Sequence, residues 1–228
     1  MNVLQAIENR HSTRAFTDKD VSRTNIERIL DAARHCGSFV NCQPWKFTVL
    51  GGSAMKEWKD RLWEMFLKDE HEEREYYCGP MPMPEPQMSR GDAFRNKIDN
   101  LIFPPGIPDR EVKHQAYVKS GIIVRDAPAA VLIHMDKAFA ASPLHVLAAG
   151  GVTQAIALAA EELGLGSCIM GRPVESPRLL RSISGIPETD TILCCIALGY
   201  EDETAPINSL APGRAGVSEL TAWVGFDK

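Results

Sequence analysis

The sequence predicts an α+β fold. Helical and strand patterns are mixed along its 228 residues, without the strict alternation that is typical of a doubly wound sheet. Four short apolar runs have the length and composition of strands, and they lie at 45–50, 129–135, 167–170 and 191–198. A chain of this length can bury a large core, and an apolar content of 44% is ordinary for a globular protein.

Between the predicted strands, apolar residues recur at helical spacing. The segments with this pattern are 3 to just before Asn9, 23 to just before Gly37, 53–67, 113–124 and 143–163. Ser22 can cap the second of them, and Ser176 followed by Pro177 predicts the start of one more short helix. The segment at 143–163 is apolar on nearly every side, which predicts the central buried helix.

Composition excludes several classes of function. Lys and Arg number 25 against 30 Asp and Glu, a net charge of −5, which is unfavourable for nucleic-acid binding. We expect no apolar stretch close to the roughly 18 residues that span a bilayer, and the N-terminus has no apolar signal core. The expected location is therefore the cytoplasm.

The six cysteines do not indicate a metal or dithiol site. None forms a C-x-x-C pair, so we expect them to be reduced and mostly buried. They are Cys36, Cys42, Cys78, Cys168, Cys194 and Cys195. The sequence also lacks G-x-S-x-G, H-E-x-x-H, P-loop and G-x-G-x-x-G motifs, so no metal is predicted.

Prolines are concentrated in the middle of the chain. Seven of the 15 lie between 80 and 108, a density that disfavours a central strand or a long helix. The segment at about 69–110 is either an exposed surface excursion or a lid whose Met and aromatic residues face a substrate.

Three further segments carry groups suited to a planar, phosphorylated ligand. Residues 10–14, R-H-S-T-R, place guanidinium and hydroxyl groups together, as phosphate binding needs, although they also suit a solvated loop. Residues 41–45, N-C-Q-P-W, offer amides for a heterocycle edge or form a turn before an edge strand. Residues 163–171, L-G-L-G-S-C-I-M-G, allow close backbone approach to a flat ring or end a helix before a strand.

Together these segments, with Arg214 in A-P-G-R-A-G, resemble the FMN-dependent nitroreductase family along the whole chain, and the nitrobenzoate and nitrophenol reductases within it. The resemblance implies one domain over 1–228 that forms a three-layer α-β-α sandwich with a mixed central sheet. It also implies an intertwined homodimer that exchanges a C-terminal arm at about 202–228. The apolar residues of that arm, among them Leu220, Trp223 and Phe226, would otherwise lack cover.

The resemblance also implies the cofactor site. Arg10, Ser12 and Arg214 would hold the FMN phosphate, and Arg14 would reach the O2/N1 edge of the isoalloxazine. His11 belongs to the same motif. Ser38, Asn41 and Gln43 would line the flavin, partly from the partner chain, and the backbone of Ile169, Met170 and Gly171 would approach N5. Because N5 carries the hydride, no catalytic side chain is expected.

Three positions depart from the family pattern. Gly37 stands where relatives usually have Pro, Pro212 replaces a second basic residue two positions before Arg214, and Ser120 lies near a position that is often Asn. We therefore expect fewer charges around the phosphate, and we assign Ser120 no flavin contact.

The implied activity is NADH- or NADPH-dependent reduction of electron-poor aromatics, such as nitroarenes or quinones, by a ping-pong mechanism. Relatives with the same fold also carry out reductive dehalogenation, enone reduction and flavin fragmentation, and the sequence leaves these open. Two other classes are a non-catalytic flavin-binding redox sensor and a cysteine hydrolase that uses Cys42 or Cys168. The hydrolase lacks a His at a recognisable spacing.

Overall fold

The computed structural model describes residues 2–75 and 83–226. Its helices are α1 (Val3–Asn9), α2 (Arg23–Ala33), α3 (Gly52–Leu67), α4 (Gln87–Ile102), α5 (Arg110–Ile122), α6 (Lys137–Ala140), α7 (Pro143–Glu162), α8 (Pro177–Ser184) and α9 (Val217–Leu220). Its strands are β1 (Lys46–Gly51), β2 (Ala129–Asp136), β3 (Gly166–Met170) and β4 (Asp190–Gly199). Each predicted strand is present to within one residue, so the α+β class is confirmed.

The four strands form one sheet in the order β1-β2-β4-β3, and every neighbouring pair is antiparallel. The sequence predicted a mixed sheet. In the described part of the chain, parallel pairing is limited to one bridge between Ser12 and Ser167, where the segment before α2 runs beside the β3 edge.

Two apolar clusters cover the two faces of the sheet and confirm the three-layer sandwich. Because successive strand residues point to opposite faces, β2 sends Leu132 to one cluster and Val131 and Ile133 to the other. Helices α3, α5 and α8 close the first face, and α2 and α7 close the second.

Two predicted helix starts have different outcomes. The hydroxyl of Ser22 accepts the N–H of Asn25 at 3.2 Å and caps α2 as predicted. At α8 the side chain of Ser176 caps nothing; the carboxylate of Glu72 instead accepts the N–H groups of Arg178 and Leu179, at 2.6 and 3.1 Å. A carboxylate at a helix N-terminus is favourable because it meets both free N–H groups and the positive end of the helix dipole.

The proline-rich segment contains a longer helix than its composition predicted. Helix α4 has 16 residues and fits between Pro86 and Pro104, because no proline interrupts that interval. The predicted features at Cys78, Pro80, Met81 and Pro82 lie outside the described residues.

Helix α7 corrects the expectation that no segment approaches membrane-spanning length. It has 20 residues with a hydropathy of 1.4 and is the one described helix long and apolar enough to cross a bilayer. One face packs on the sheet through residues such as Val152 and Ile156, whereas Leu147 on another face is 73% exposed. The helix is therefore a core helix with one uncovered face.

Candidate functional site

The R-H-S-T-R segment lies along the β3 edge of the sheet. The N–H of Thr13 donates to the carbonyl of Ser167 at 2.9 Å, and Thr13 is fully buried. Gly166 permits this contact, since a Cβ at that position would lie 2.4 Å from Oγ1 of Thr13. The glycine-rich stretch therefore does allow a close approach, but that of the Thr13 side chain.

Two residues that the sequence analysis missed hold this segment in place. Buried Asn208 accepts the N–H groups of Arg14 and Ala15 through Oδ1, at 2.7 and 3.2 Å, and donates through Nδ2 to the carbonyl of Ala15 at 2.8 Å. Glu201 accepts the hydroxyl of Thr13 at 3.2 Å. Neither residue carries a sequence signal, because each acts on a segment 188 to 194 positions away.

Cationic side chains converge on Cys168, which is buried in β3. Burial raises the pKa of its thiol, while the nearby charges of Arg125, Arg14 and Arg10 and the hydroxyl of Ser12 act to lower it. Three of these four neighbours are the predicted phosphate and pyrimidine-edge residues. The site residues of the N-terminal motif are therefore brought together here, and Arg125 joins them unpredicted.

Arg14 is partly enclosed. Its Nη1 donates to the carbonyl of Ser12 at 2.9 Å, and its Cζ lies 5.4 Å from the ring centroid of Phe94 in α4. Burial, and to a lesser extent the neighbouring Arg125, lowers the pKa of Arg14. Helix α4, in the predicted lid, thus covers a predicted site residue.

His11 faces elsewhere. Its Nε2 lies 3.0 Å from Oε2 of Glu201, and its Nδ1 lies 3.2 Å from the carbonyl of Asn9. His11 therefore helps to fix the segment, and its side chain contacts Glu201 and Asn9 instead of the group formed by Arg10 and Ser12.

Ser38, Asn41 and Gln43 form a separate group. The hydroxyl of Ser38 accepts the N–H of Gln43 at 2.9 Å, and Nε2 of Gln43 donates to the carbonyl of Asn41 at 3.3 Å. Asn41 and Gln43 are exposed, with φ of 56° and 47° in the left-handed region. This turn precedes β1, at the sheet edge opposite β3, so the two groups lie at opposite edges of the sheet.

The end of β3 presents the third predicted group. Met170 points into the core, Ile169 points out and is 42% exposed, and Gly171 follows the strand. They continue the strand beside which Ser12 lies, so this group and the N-terminal motif share one edge of the sheet.

Arg214 is not gathered with the other arginines. It is exposed, and its Nη1 donates to the carbonyls of Pro212 and Gly213, at 3.3 and 3.1 Å. The surrounding tail lies along α4, where Lys97 donates to the carbonyl of Ala211.

The donor set at the β3 edge fits a phosphorylated flavin. Arg10 and Ser12 offer charged and neutral donors for a phosphate, and Arg14 offers a guanidinium for a carbonyl edge. The raised thiol pKa disfavours Cys168 as a nucleophile. Within residues 2–75 and 83–226 no three His, Cys, Asp or Glu side chains are placed to hold a metal.

Comparison with known proteins agrees with this description. The chain is 27% identical to a nitrobenzene nitroreductase of Ectopseudomonas oleovorans over 220 residues, covering 96% of this chain and 95% of the relative. It is 27% identical to a 4-nitrobenzoate reductase of Nocardioides sp. over 97% of this chain and 89% of the relative. The crystal structure of the FMN- and NADPH-dependent nitroreductase NfnB from Sphigopyxis sp. strain HMH superposes with a TM-score of 0.86 at 25% identity, covering 99% and 100% of the two chains. The nitroreductase family model matches residues 7–200, and the chain belongs to the nitroreductase family.

Proposed function

We propose that this protein is an FMN-dependent oxidoreductase that uses NADH or NADPH to reduce electron-poor aromatics such as nitroarenes or quinones. The observation that carries the proposal is the convergence of Arg10, Ser12 and Arg14 beside β3. The names of the relatives support the substrate class, since both curated relatives reported above are reductases of nitroaromatic compounds.

Bound FMN would supply the two-electron chemistry that couples nicotinamide oxidation to reduction of the aromatic substrate. The chain would supply binding and electrostatics. Arg10 and Ser12 would hold the phosphate, and the partly buried Arg14 would place positive charge at the pyrimidine edge, where it would stabilise negative charge. Thr13 and Asn208 fix the segment that carries all three.

A second copy of the chain completes the site. Ser38, Asn41 and Gln43 lie at the sheet edge opposite the arginine group, which supports a flavin site that takes the two groups from different copies. The face next to the Ser38–Gln43 turn is apolar and uncovered. Phe39, Leu144 and Leu147 are exposed there, and a Cβ at Gly150 would meet nothing within 4 Å. Such a face suits close packing of α7 against α7 of a partner.

Two further segments receive roles in the same proposal. Helix α4 and the rest of the 69–110 segment form the substrate lid, supported by the position of Phe94 over Arg14. The arm at about 202–228 binds the partner, supported by the exposure of Leu220, Trp223 and Phe226. We place the homodimer in the cytoplasm, where NADH and NADPH are available.

The test begins with the absorption spectrum of the purified protein. We expect a yellow protein that releases FMN and not FAD on heating, because Arg10 and Ser12 offer donors for a single phosphate. Titration with NADH and with NADPH without oxygen should bleach the flavin, and nitrobenzene or a quinone should restore its colour. A colourless protein that does not bind added FMN would overturn the proposal, and a flavin that neither nucleotide bleaches would favour a binding protein or sensor.

A further inference from the structure

Arg125 stands in an unusual backbone segment between α5 and β2. Val124, Arg125 and Asp126 have φ values of 57°, 59° and 54°, all in the left-handed region that non-glycine residues avoid. The N–H of Asp126 donates to the carbonyl of Ile123 at 2.9 Å, and its carboxylate binds Lys59 at 2.6 Å. Backbone of this kind clusters at functional sites, where the surrounding structure maintains it.

The guanidinium of Arg125 is enclosed but incompletely bonded. Its Nε and Nη1 are buried and have no hydrogen-bond partner. Its Cζ lies 5.2 Å from the ring centroid of Tyr117, and it passes over Gly121, where a Cβ would lie 3.9 Å from Nη1. Buried donors without acceptors are rare in folded proteins and call for an explanation.

The surroundings of Arg125 add positive charge instead of neutralising it. Arg14 lies close enough that the charge of Arg125 lowers its pKa, after the larger effect of burial. In the described part of the chain, no ion pair joins Arg125 to a carboxylate. The free donors of Arg125, beside the second positive charge of Arg14, form a site for an anion.

We propose that Arg125, paired with Arg14, binds a planar delocalised anion. This inference rests on the proposed function. A guanidinium presents parallel N–H donors that match an N–C–O or O–C–O edge. Two sources have that chemistry: the pyrimidine edge of the flavin, which is negative when the flavin is reduced, and the carboxylate of a benzoate-type substrate.

Arg110 provides a matched control. Its Cζ lies 5.6 Å from the ring centroid of Phe103, which resembles the arrangement of Arg125 over Tyr117. Its Nη1 donates to the carbonyl of Phe103 at 2.7 Å, and the residue is exposed. Arg110→Gln therefore removes an arginine that stacks on an aromatic ring without touching the proposed anion site.

The experiment compares Arg125→Gln, Arg125→Lys and Arg110→Gln with the wild-type FMN-loaded protein. Three quantities are measured: the Kd of FMN by flavin fluorescence, the midpoint potential by dye equilibration, and the Kd of benzoate from the flavin spectrum. If the anion is the flavin edge, Arg125→Gln raises the Kd of FMN about ten-fold and makes the potential more negative, while benzoate binding is unchanged. If it is a substrate carboxylate, only the Kd of benzoate rises, again about ten-fold.

Either pattern supports the inference, and wild-type values for all three quantities in Arg125→Gln overturn it. Arg125→Lys keeps the charge but loses the paired donors, so we expect smaller changes in the Kd values and the midpoint potential than in Arg125→Gln. If Arg125→Gln does not fold, the same measurements on Arg125→Lys test the inference. Thermal melting of the flavin-free protein tests whether Arg125 has only a structural role. A lower Tm in Arg125→Gln with an unchanged midpoint potential and unchanged Kd values for FMN and benzoate also overturns the inference. A wild-type protein that does not bind FMN would instead contradict the proposed function.

Discussion

Oδ1 of Asn208 accepts the backbone N–H of Arg14 at 2.7 Å. The bond joins the C-terminal part of the chain to the segment that carries the predicted phosphate and flavin ligands. Asn208 is buried and also donates to the carbonyls of Ala15 and Asp202, so all of its hydrogen-bonding groups are used. The tail therefore supports the site within one chain, before any exchange with a partner.

Asn208→Ala should weaken both the fold and the site. It leaves the N–H groups of Arg14 and Ala15 without their acceptor, and we expect the free energy of unfolding to fall by about 2–3 kcal/mol. FMN affinity should fall as well, because Arg14 is no longer fixed. Urea denaturation and FMN fluorescence titration measure the two effects.

Asn208→Asp is the matched variant. It keeps the acceptor oxygen but loses the donations to the carbonyls of Ala15 and Asp202, so its stability should lie below that of wild type. An Asn208→Ala protein with wild-type stability and FMN affinity would show that the bond is incidental.

Truncation after Leu210 separates the arm from this internal support. Removal of residues 203–228 would also remove Asn208, so a loss of FMN from that variant would not identify a role for the arm. Removal of 211–228 retains Asn208 and buried Leu210 but deletes exposed Leu220, Trp223 and Phe226. We expect the sedimentation coefficient to shift toward that of a monomer, with the bound flavin decreasing in parallel.

A full-length variant with Leu220, Trp223 and Phe226 all changed to Ser keeps Arg214 and should show the same shift if the apolar side chains bind the partner. A truncated protein that sediments as a yellow dimer would mean that the tail is a surface appendage.

Local patterns explain which parts of the fold could be read from sequence. Each strand and the cap of α2 at Ser22 depend on neighbouring residues, and their positions agree with the structure. Helix α4 was not predicted, because the density of prolines around it hid the proline-free interval 87–103. The cap of α8 could not be predicted either, since Glu72 lies 106 positions before Arg178.

Local sequence patterns likewise identify only some of the site residues. The R-H-S-T-R motif was identified by its residue types, and its position beside β3 agrees with a binding role. Sequence spacing could not show that Ser38, Asn41 and Gln43 lie at the opposite sheet edge, because strand order is a tertiary property. Arg125 gave no signal, since its environment is created by Arg14 and Tyr117 from other elements.

His134 should make stability depend on pH. It is buried, with Nδ1 2.7 Å from Oδ2 of Asp190 and Nε2 3.0 Å from Oγ1 of Thr48. Burial lowers the pKa of His134 and outweighs the opposing effect of Asp190. The unfolded chain therefore takes up a proton near pH 6.5 that the folded protein resists, and stability is lost as the pH falls below that value. The slope has an upper limit of about 1.4 kcal/mol per pH unit.

Urea denaturation at pH 5.5, 6.5 and 7.5 measures this slope. His134→Gln should reduce it, whereas His71→Gln, which removes an exposed histidine, serves as the control. The pKa of Asp190 is itself lowered, because hydrogen bonds from Lys46 and His134 outweigh its burial, so its contribution is lost only in more acidic solution. An unchanged slope in His134→Gln would show that another group titrates.

Phe94 should influence substrate affinity more than flavin binding. Its ring lies over the guanidinium of Arg14, and α4 carries it there from the predicted lid. An aromatic ring beside a flavin site can pack against an aromatic substrate, and such a contact is worth about 1 kcal/mol. Phe94→Ala should therefore raise the KM for nitrobenzene about five-fold, while the Kd of FMN stays near its wild-type value. Ile98→Ala, one turn further along α4, tests whether the effect belongs to the ring or to the helix. Loss of flavin from Phe94→Ala would instead place α4 in the cofactor site, because the helix would then be needed to keep Arg14 in position.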